Sequence, residues 1–297
     1  MHTIGISISR DRISAVALDG STPAAPRIAA AVSVPCAEPF GAADAAALAE
    51  ALREALPGGS LTGAVVTLPP ALTFLRPMTL PVTDLPRARA IHLAELEGTL
   101  PIEDEEILSD LLPSPNDGSG FFVAVAARRS LVESASEHFA AAGIRVDRVV
   151  TDPVALLLLA SETAGAPRDG VYLSAFDDIL LLRVSGGGVT AARQFPRTMA
   201  DRPEEILEAI REAAGVIGGA PRAVFLIGET PAPMAVALPD AERIPLPEGV
   251  SAAHPAAYGA ALAPLRPGVG GGFSLRTSAE AALEKERDRR WKMVTGI

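Results

Sequence analysis

The chain has 297 residues, 48% of them hydrophobic, and a formal net charge of −10. That length suits two ordinary domains with sizeable cores, and the acidic balance excludes bulk nucleic-acid binding, which needs a basic face. The single cysteine, Cys36, allows no internal disulfide and no paired-thiol metal site.

The N-terminus runs straight into an apolar strand, so no signal peptide is expected. No stretch reaches the ~18 uncharged apolar residues of a membrane span. Thr3–Ser9, Ile13–Leu18 and Arg27–Val34 read as three strands, joined by turns at Arg10-Asp11 and Asp19-Gly20. Ala43–Leu56 reads as a helix stopped by Pro57-Gly58-Gly59, and Leu61–Leu68 as a strand ending at Pro69-Pro70.

The region from Leu72 to Val146 reads as a compact insert. It runs strand (Leu72–Leu80), helix (Leu85–Leu100), strand (Glu105–Leu112), a turn at Asn116-Asp117-Gly118, strand (Phe121–Ala127), helix (Leu131–Ala142) and strand (Ile144–Val149). Thr83-Asp84 and Ser130 are the expected helix caps. Asp152–Thr163 then returns to the first half as a helix.

Gly170–Arg197 repeats the opening meander, with turns at Asp177-Asp178 and Gly186-Gly187-Gly188. Glu204–Val216 follows as an amphipathic helix, with Ile206, Leu207, Ile210, Ala213 and Ile217 at helical spacing. Ala223–Gly228 reads as a strand and Pro255–Leu265 as a closing helix. A meander followed by alternating helix and strand, met twice, predicts an α/β chain of two RNase H-like halves. That is an actin-like fold with a small α+β insert. The expected divisions are 1–71 with 147–166 (first half), 72–146 (insert), 167–266 (second half) and 267–297 (linker and tail). In the tail, Gly268-Val269-Gly270-Gly271-Gly272 is a linker, and Ser278–Lys292 is a charged helix candidate. Trp291 among Arg289, Arg290 and Lys292 suits the cytoplasmic flank of a membrane span; a solvated tail suits it equally. Membrane association through the segment after residue 290 is therefore one expectation. If the gene continues past Ile297, the next ~20 residues should be apolar.

Between the meanders stand LPVTDLPRARAIHLAELEGTLPI and FFVAVAARRSLVESASEHFAAAGIRVDRVVTDPVALL. In this order the chain resembles the family of PilM and the GspL cytoplasmic domain, actin-like platform proteins of type IV pilus and type II secretion systems. Leu80–Pro101 and Ala142–Val149 carry the likeness best, and Phe273–Thr277 resembles the segment leading out of that fold toward the membrane. The resemblance implies a non-enzymatic scaffold on the cytoplasmic face of the bacterial inner membrane. It implies three partners: a motor ATPase, a PilN-type or other platform protein, and a second copy in a homodimer. It also points to the insert as a partner surface, with Arg87, Arg89, Glu95 and Glu97 as candidates.

Actin-like ATPases hold magnesium through an acid in the strand entering each phosphate turn, and admit phosphate over glycines. The expected I-G-I-D-x-G reads Ile4-Gly5-Ile6-Ser7-Ile8-Ser9 here, so Ser7 replaces the acid and Ser9 the glycine. The expected D-x-G-A falls on Tyr172-Leu173-Ser174-Ala175, and the adenosine-side Gly-Gly on Gly228-Glu229. No cofactor and no hydrolysis are therefore expected. The alternative is weak ATP/Mg binding by an adaptor whose nucleotide state gates a PilN-type peptide. Asp11, Asp177 and Asp178 read as hairpin-turn chemistry. His2, His92, His138 and His254 fit no metal spacing, and no nucleophile elbow is present.

Overall fold

The computed structural model describes residues 2–275 apart from 22–24, 38, 104–105, 114–117, 163–168, 176–177, 215–222, 229, 252–253 and 267–271. The charged tail, most of its glycine linker, Asp177 and Glu229 lie outside the described residues.

The chain opens with β1 (His2–Ile8), β2 (Arg12–Asp19), β3 (Arg27–Pro35), α1 (Ala42–Ala55) and β4 (Thr62–Leu68). It continues through β5 (Phe74–Thr79), α2 (Leu85–Leu96), β6 (Ile107–Leu111) and β7 (Phe121–Arg128), then α3 (Arg129–Ala141), β8 (Arg145–Thr151) and α4 (Asp152–Glu162). The second half is β9 (Gly170–Ala175), β10 (Asp178–Ser185), β11 (Gly188–Pro196), α5 (Pro203–Ala214), β12 (Val224–Ile227), α6 (Ala232–Ala237), β13 (Glu242–Arg243) and α7 (Pro255–Leu262).

Two five-stranded sheets result, ordered β3-β2-β1-β4-β8 and β11-β10-β9-β12-β13. In each, an antiparallel meander is extended by two parallel strands. The duplication expected from the two meanders is thus a duplication of topology, strand for strand. Turn chemistry sets the register. Gly186 (φ 59°) and Gly187 (φ 77°) make a two-residue loop closed by the Ser185–Gly188 pair. Two consecutive positive φ values define the hairpin turn whose twist matches its strands.

β1 is buried on both faces, which explains its apolar run. Ile4, Ile6 and Ile8 share one face; Thr3, Gly5 and Ser7 share the other. α1 starts where the Gly41 N–H donates to Asp44 Oδ2 (2.9 Å), and it buries Ala45, Leu48, Ala49 and Leu52 at helical spacing.

The insert departs from expectation. Its own sheet is β5-β7-β6 only. β8, expected at Ile144–Val149 across the boundary between insert and first half, pairs in parallel with β4 along its length and closes the first sheet. α3 goes with it: Phe139 is fully buried in the main core, and the Ile144 N–H bonds the Phe139 carbonyl (2.8 Å). The α2 helix stops at Leu96 rather than Leu100, because Glu97 turns extended and Gly98 takes a left-handed φ of 67°. Asp84 caps α2 as expected, accepting from the Arg87 N–H (3.1 Å). Ser130 caps nothing; it lies inside α3, whose N-cap is Arg128. α6 and β13 were not anticipated.

β7 divides the insert's allegiance. Phe122 and Ala124 face Leu80, Ala88, Leu96 and Leu111 beneath α2, whereas Val123, Val125 and Ala127 join the main core. The insert also touches the second half, where the Val189 N–H donates to the Pro113 carbonyl (2.7 Å).

The two halves exchange helices. α7 follows the second sheet in the chain yet packs on β1, β2 and β4 of the first. α4 follows the first sheet, and its Leu156 and Leu157 lie beside Tyr172, Leu180, Leu182 and Ile227 of the second. The helices meet at Gly259, where an added Cβ would stand 1.9 Å from the Ala155 carbonyl oxygen. A Cβ on Gly5 would stand 2.0 Å from the Ala257 carbonyl oxygen. One apolar core therefore runs through both halves, from Ile4 and Leu48 to Phe225 and Ile244. A second core lies on the outer face of the second sheet, where Val171, Leu173 and Ile179 meet Ile206 and Ile210 of α5.

Candidate functional site: the interlobe cleft and the insert junction

In sheets with parallel central strands, ligand sites form beyond the carboxyl ends of those strands. Ser7 occupies that place in the first half. It is buried, and in register with Ser14 on β2 and Thr67 on β4. Thr67 is fully buried, and its hydroxyl donates to Asp152 Oδ1 (2.7 Å) at the start of α4. Asp152 is itself only 5% exposed. Sequence reasoning took Asp152 as a helix start and missed this buried carboxylate. Its only signal was an acidic residue between an apolar strand and an apolar helix.

Ser9 sits in the first hairpin turn, where its N–H donates to the Arg12 carbonyl (2.9 Å). Asp11 projects from the same turn and is bound by Arg12 through Nε and Nη2, both at 3.1 Å. The Arg12 hydrogen bonds hold its carboxyl below the ordinary aspartate range, and the more distant Arg197 contributes in the same sense. Arg197 belongs to the second half.

In the second half, Ser174 pairs with Leu180 on β10 and Ile227 on β12, and is 4% exposed. Its surroundings are Leu156, Leu157, Tyr172, Leu180, Leu182 and Ile227. This face of the cleft is apolar and closed. Burial pushes the Tyr172 phenol up to about 12. Ala175 is buried at the end of β9, and its carbonyl accepts from Arg197 Nη1 (3.4 Å). Asp178 serves the hairpin: its carboxylate accepts from Gln194 Nε2 (3.0 Å) and the Arg197 N–H (3.3 Å). Gly228 holds a left-handed φ of 74°. Among the described residues no group of three or more His, Cys, Asp or Glu could hold a metal ion.

The insert residues separate into two kinds. Arg87 and Glu95 are exposed on α2 and Glu97 just past its end, with Arg87 Nε 3.6 Å from the α2 cap Asp84. Arg89 points inward and grips Asp110 on β6, Nε to Oδ1 at 2.6 Å and Nη2 to Oδ2 at 3.1 Å. A fork-to-fork pair of this kind fixes orientation as well as charge. It leaves Arg89 committed within the fold, unlike its three companions. His92, one turn further along α2, is buried, and its Nδ1 meets the Arg89 carbonyl (3.1 Å). Burial lowers its pKa. Among the described residues no helix is long and apolar enough to cross a membrane.

No family model and no curated protein matches the chain. Solved structures do. The PilM–PilN type IV pilus biogenesis complex contains a chain 19% identical to this one, with a TM-score of 0.66, covering 91% of this chain and 99% of that one. The cytoplasmic domain of EpsL, an inner membrane component of the type II secretion system of Vibrio cholerae, is 15% identical with a TM-score of 0.58, over 94% of this chain and 99% of that one. A Bacteroides thetaiotaomicron protein of actin-like ATPase fold and unknown function is 11% identical with a TM-score of 0.51, over 82% and 89% of the two chains. The paired sheets, the exchanged helices and the insert are thus those of an actin-like fold, in a form shared along nearly the whole chain with PilM and cytoplasmic EpsL.

Proposed function

We propose that this chain is a non-enzymatic scaffold of an inner-membrane assembly platform, of the type II secretion or type IV pilus kind. It would act at the cytoplasmic face, between a motor ATPase and a PilN-type partner. The observation that carries the reading is the cleft itself. Ser7 stands where the first phosphate turn would need an acid for magnesium, Tyr172 and Ser174 stand where the second would need its acid and its glycine, and Leu156 and Leu157 of α4 line the apolar face around Ser174. Likeness to PilM and cytoplasmic EpsL over more than nine-tenths of this chain supports the same reading.

One observation favours a second reading, an ATP-binding adaptor of PilM type. The Thr67–Asp152 pair puts one carboxylate at the carboxyl ends of the first sheet's parallel strands. A thermal melt with and without millimolar Mg·ATP separates the two. Ligand at a hundred times its Kd stabilises a native state by about 2.7 kcal/mol. For a chain of this size that is a rise of roughly 4 °C. The scaffold reading expects no rise, together with a stable complex on co-expression with a PilN-type protein of the same genome. A rise of that size would transfer the conclusion to the adaptor.

A further inference from the structure

The start of β6 carries a pocket that the platform reading does not use. Leu100, Pro101, Ile102, Glu103, Glu106 and Arg128 line about 530 Å³ there, open to solvent. Its floor is apolar: Leu100, only 8% exposed, and Ile102 pack with Phe74, Ile107 and Ala126. Its rim is acidic. The Glu106 N–H donates to the Glu103 carbonyl (3.0 Å), so one tight turn brings together the two carboxylates that line the rim. The sequence from 103 to 106 is acidic at every position. Arg128, the cation among the lining residues, has its Nη1 3.8 Å from Glu106 Oε2, beyond hydrogen-bond reach, and both side chains are about half exposed. Glu103 has no ion pair among the described residues. One loosely held cation against two carboxylates leaves the rim net negative.

The same chain carries a complementary segment. From Arg287 to Met293 it reads Arg-Asp-Arg-Arg-Trp-Lys-Met, four cations against one acid, in a chain whose net charge is −10. Trp291, the chain's only tryptophan, stands among them. The last described residues lie close to the pocket. The Ser274 N–H donates to Asp110 Oδ2 on β6 (2.8 Å), and the Leu275 N–H donates to the Val149 carbonyl (2.8 Å). Asp110 stands four positions after Glu106, a separation of at most about 13 Å along an extended chain. Sixteen residues separate Leu275 from Trp291. They would span about 24 Å as a helix and up to about 53 Å extended. The pocket is within reach in either form.

We propose that the pocket at the start of β6 is the docking site for this chain's own basic segment, residues 287–293. Trp291 seats on the floor of Leu100 and Ile102, and Arg289, Arg290 and Lys292 face the Glu103 and Glu106 carboxylates. Burial of the indole supplies most of the affinity. The charges fix orientation and make docking sensitive to salt. A tether of this length holds the segment at a roughly millimolar effective concentration, so a weak contact suffices. A docked segment is withheld from anionic lipid, so pocket and membrane compete for one basic cluster. Nothing in this arrangement depends on the platform reading.

Because Trp291 is the only tryptophan, its fluorescence in the full chain tests this directly. Its emission should be blue-shifted from that of a free peptide of residues 285–297, and several-fold less quenched by acrylamide. The double variant Glu103→Lys with Glu106→Lys, at two exposed positions, should move both readings to the peptide's values, and high salt should do so in part. Wild-type readings equal to the peptide's overturn the proposal, as does a blue shift that survives the double variant. A blue shift that disappears on dilution assigns the pocket to the tail of a second copy and overturns docking within one chain. Ile102→Ser weakens the floor without changing charge. It should bind phosphatidylglycerol vesicles several-fold more tightly than the wild type; equal binding overturns the competition with a membrane.

Discussion

Thr67 shows how a single side chain joins the two ends of the first half. Its hydroxyl reaches from β4 to Asp152, 85 residues later, inside a fully buried environment. Thr67→Val keeps the shape and removes the donor. A buried carboxylate deprived of a hydrogen bond costs about 1.5–3 kcal/mol. Chemical denaturation should therefore show Thr67→Val less stable by roughly 2 kcal/mol, with an unchanged denaturant slope. A change under about 0.5 kcal/mol, the range of ordinary surface substitutions, would mean that the hydroxyl contributes nothing. Sequence alone did not reveal this pair. A threonine in an apolar strand and an aspartate opening a helix are both ordinary, and only the parallel pairing of β4 with β8 brings them together.

At the scale of elements, the decisive contact is between α4 and α7. A glycine in an exposed helix is worth about 1 kcal/mol less than alanine, so propensity alone would make Gly259→Ala stabilising. The new Cβ would meet the Ala155 carbonyl oxygen at 1.9 Å, and backbone cannot yield as a flexible side chain can. Overpacking of this kind costs about 1–3 kcal/mol or more. Gly259→Ala should therefore lower the melting temperature, and a raised one would refute the close packing. The elements themselves were largely legible. Both meanders were marked by their turns, because glycine pairs and polar dipeptides between β-branched runs have local causes. The allegiance of α3 and β8 was not legible, since a half-buried strand reads alike in whichever sheet it pairs. α6 was hidden by Pro231 and Pro233 at its start, and β13 is only two residues long. Among the candidate site residues, Ser7 lies near the carboxyl end of β1 and Ser174 near that of β9. Arg89 looked like a surface cation because its partner Asp110 is a strand away in the chain.

Across the whole molecule, two buried imidazoles set the response to acid. His92 lies in the insert beneath the Arg89–Asp110 pair. His254 stands before α7, with Nε2 donating to the Val32 carbonyl of β3 (3.2 Å) and Ser251 at its Nδ1. Burial lowers both pKa values from 6.5. Below that value the unfolded chain takes up protons that the folded chain refuses, so stability falls as pH falls. Melts between pH 8 and pH 5 should be level at first and decline below about 6.5, before the carboxylates titrate. Replacing both histidines by glutamine should flatten that decline. A melting temperature rising toward pH 5 would show the imidazoles to be charged in the fold.

The exchange of helices between the halves has a temporal side. α7 covers β1, β2 and β4, yet it is among the last helices to be synthesised. While the chain is emerging from the ribosome, those early strands present an oily face that nothing yet made can cover. They must wait for Leu262, held open or shielded by a chaperone, before the amino-terminal half can mature. The amino-terminal half is therefore not a unit that finishes first, and a message cut short before Pro255 would yield a sticky fragment rather than a smaller working protein.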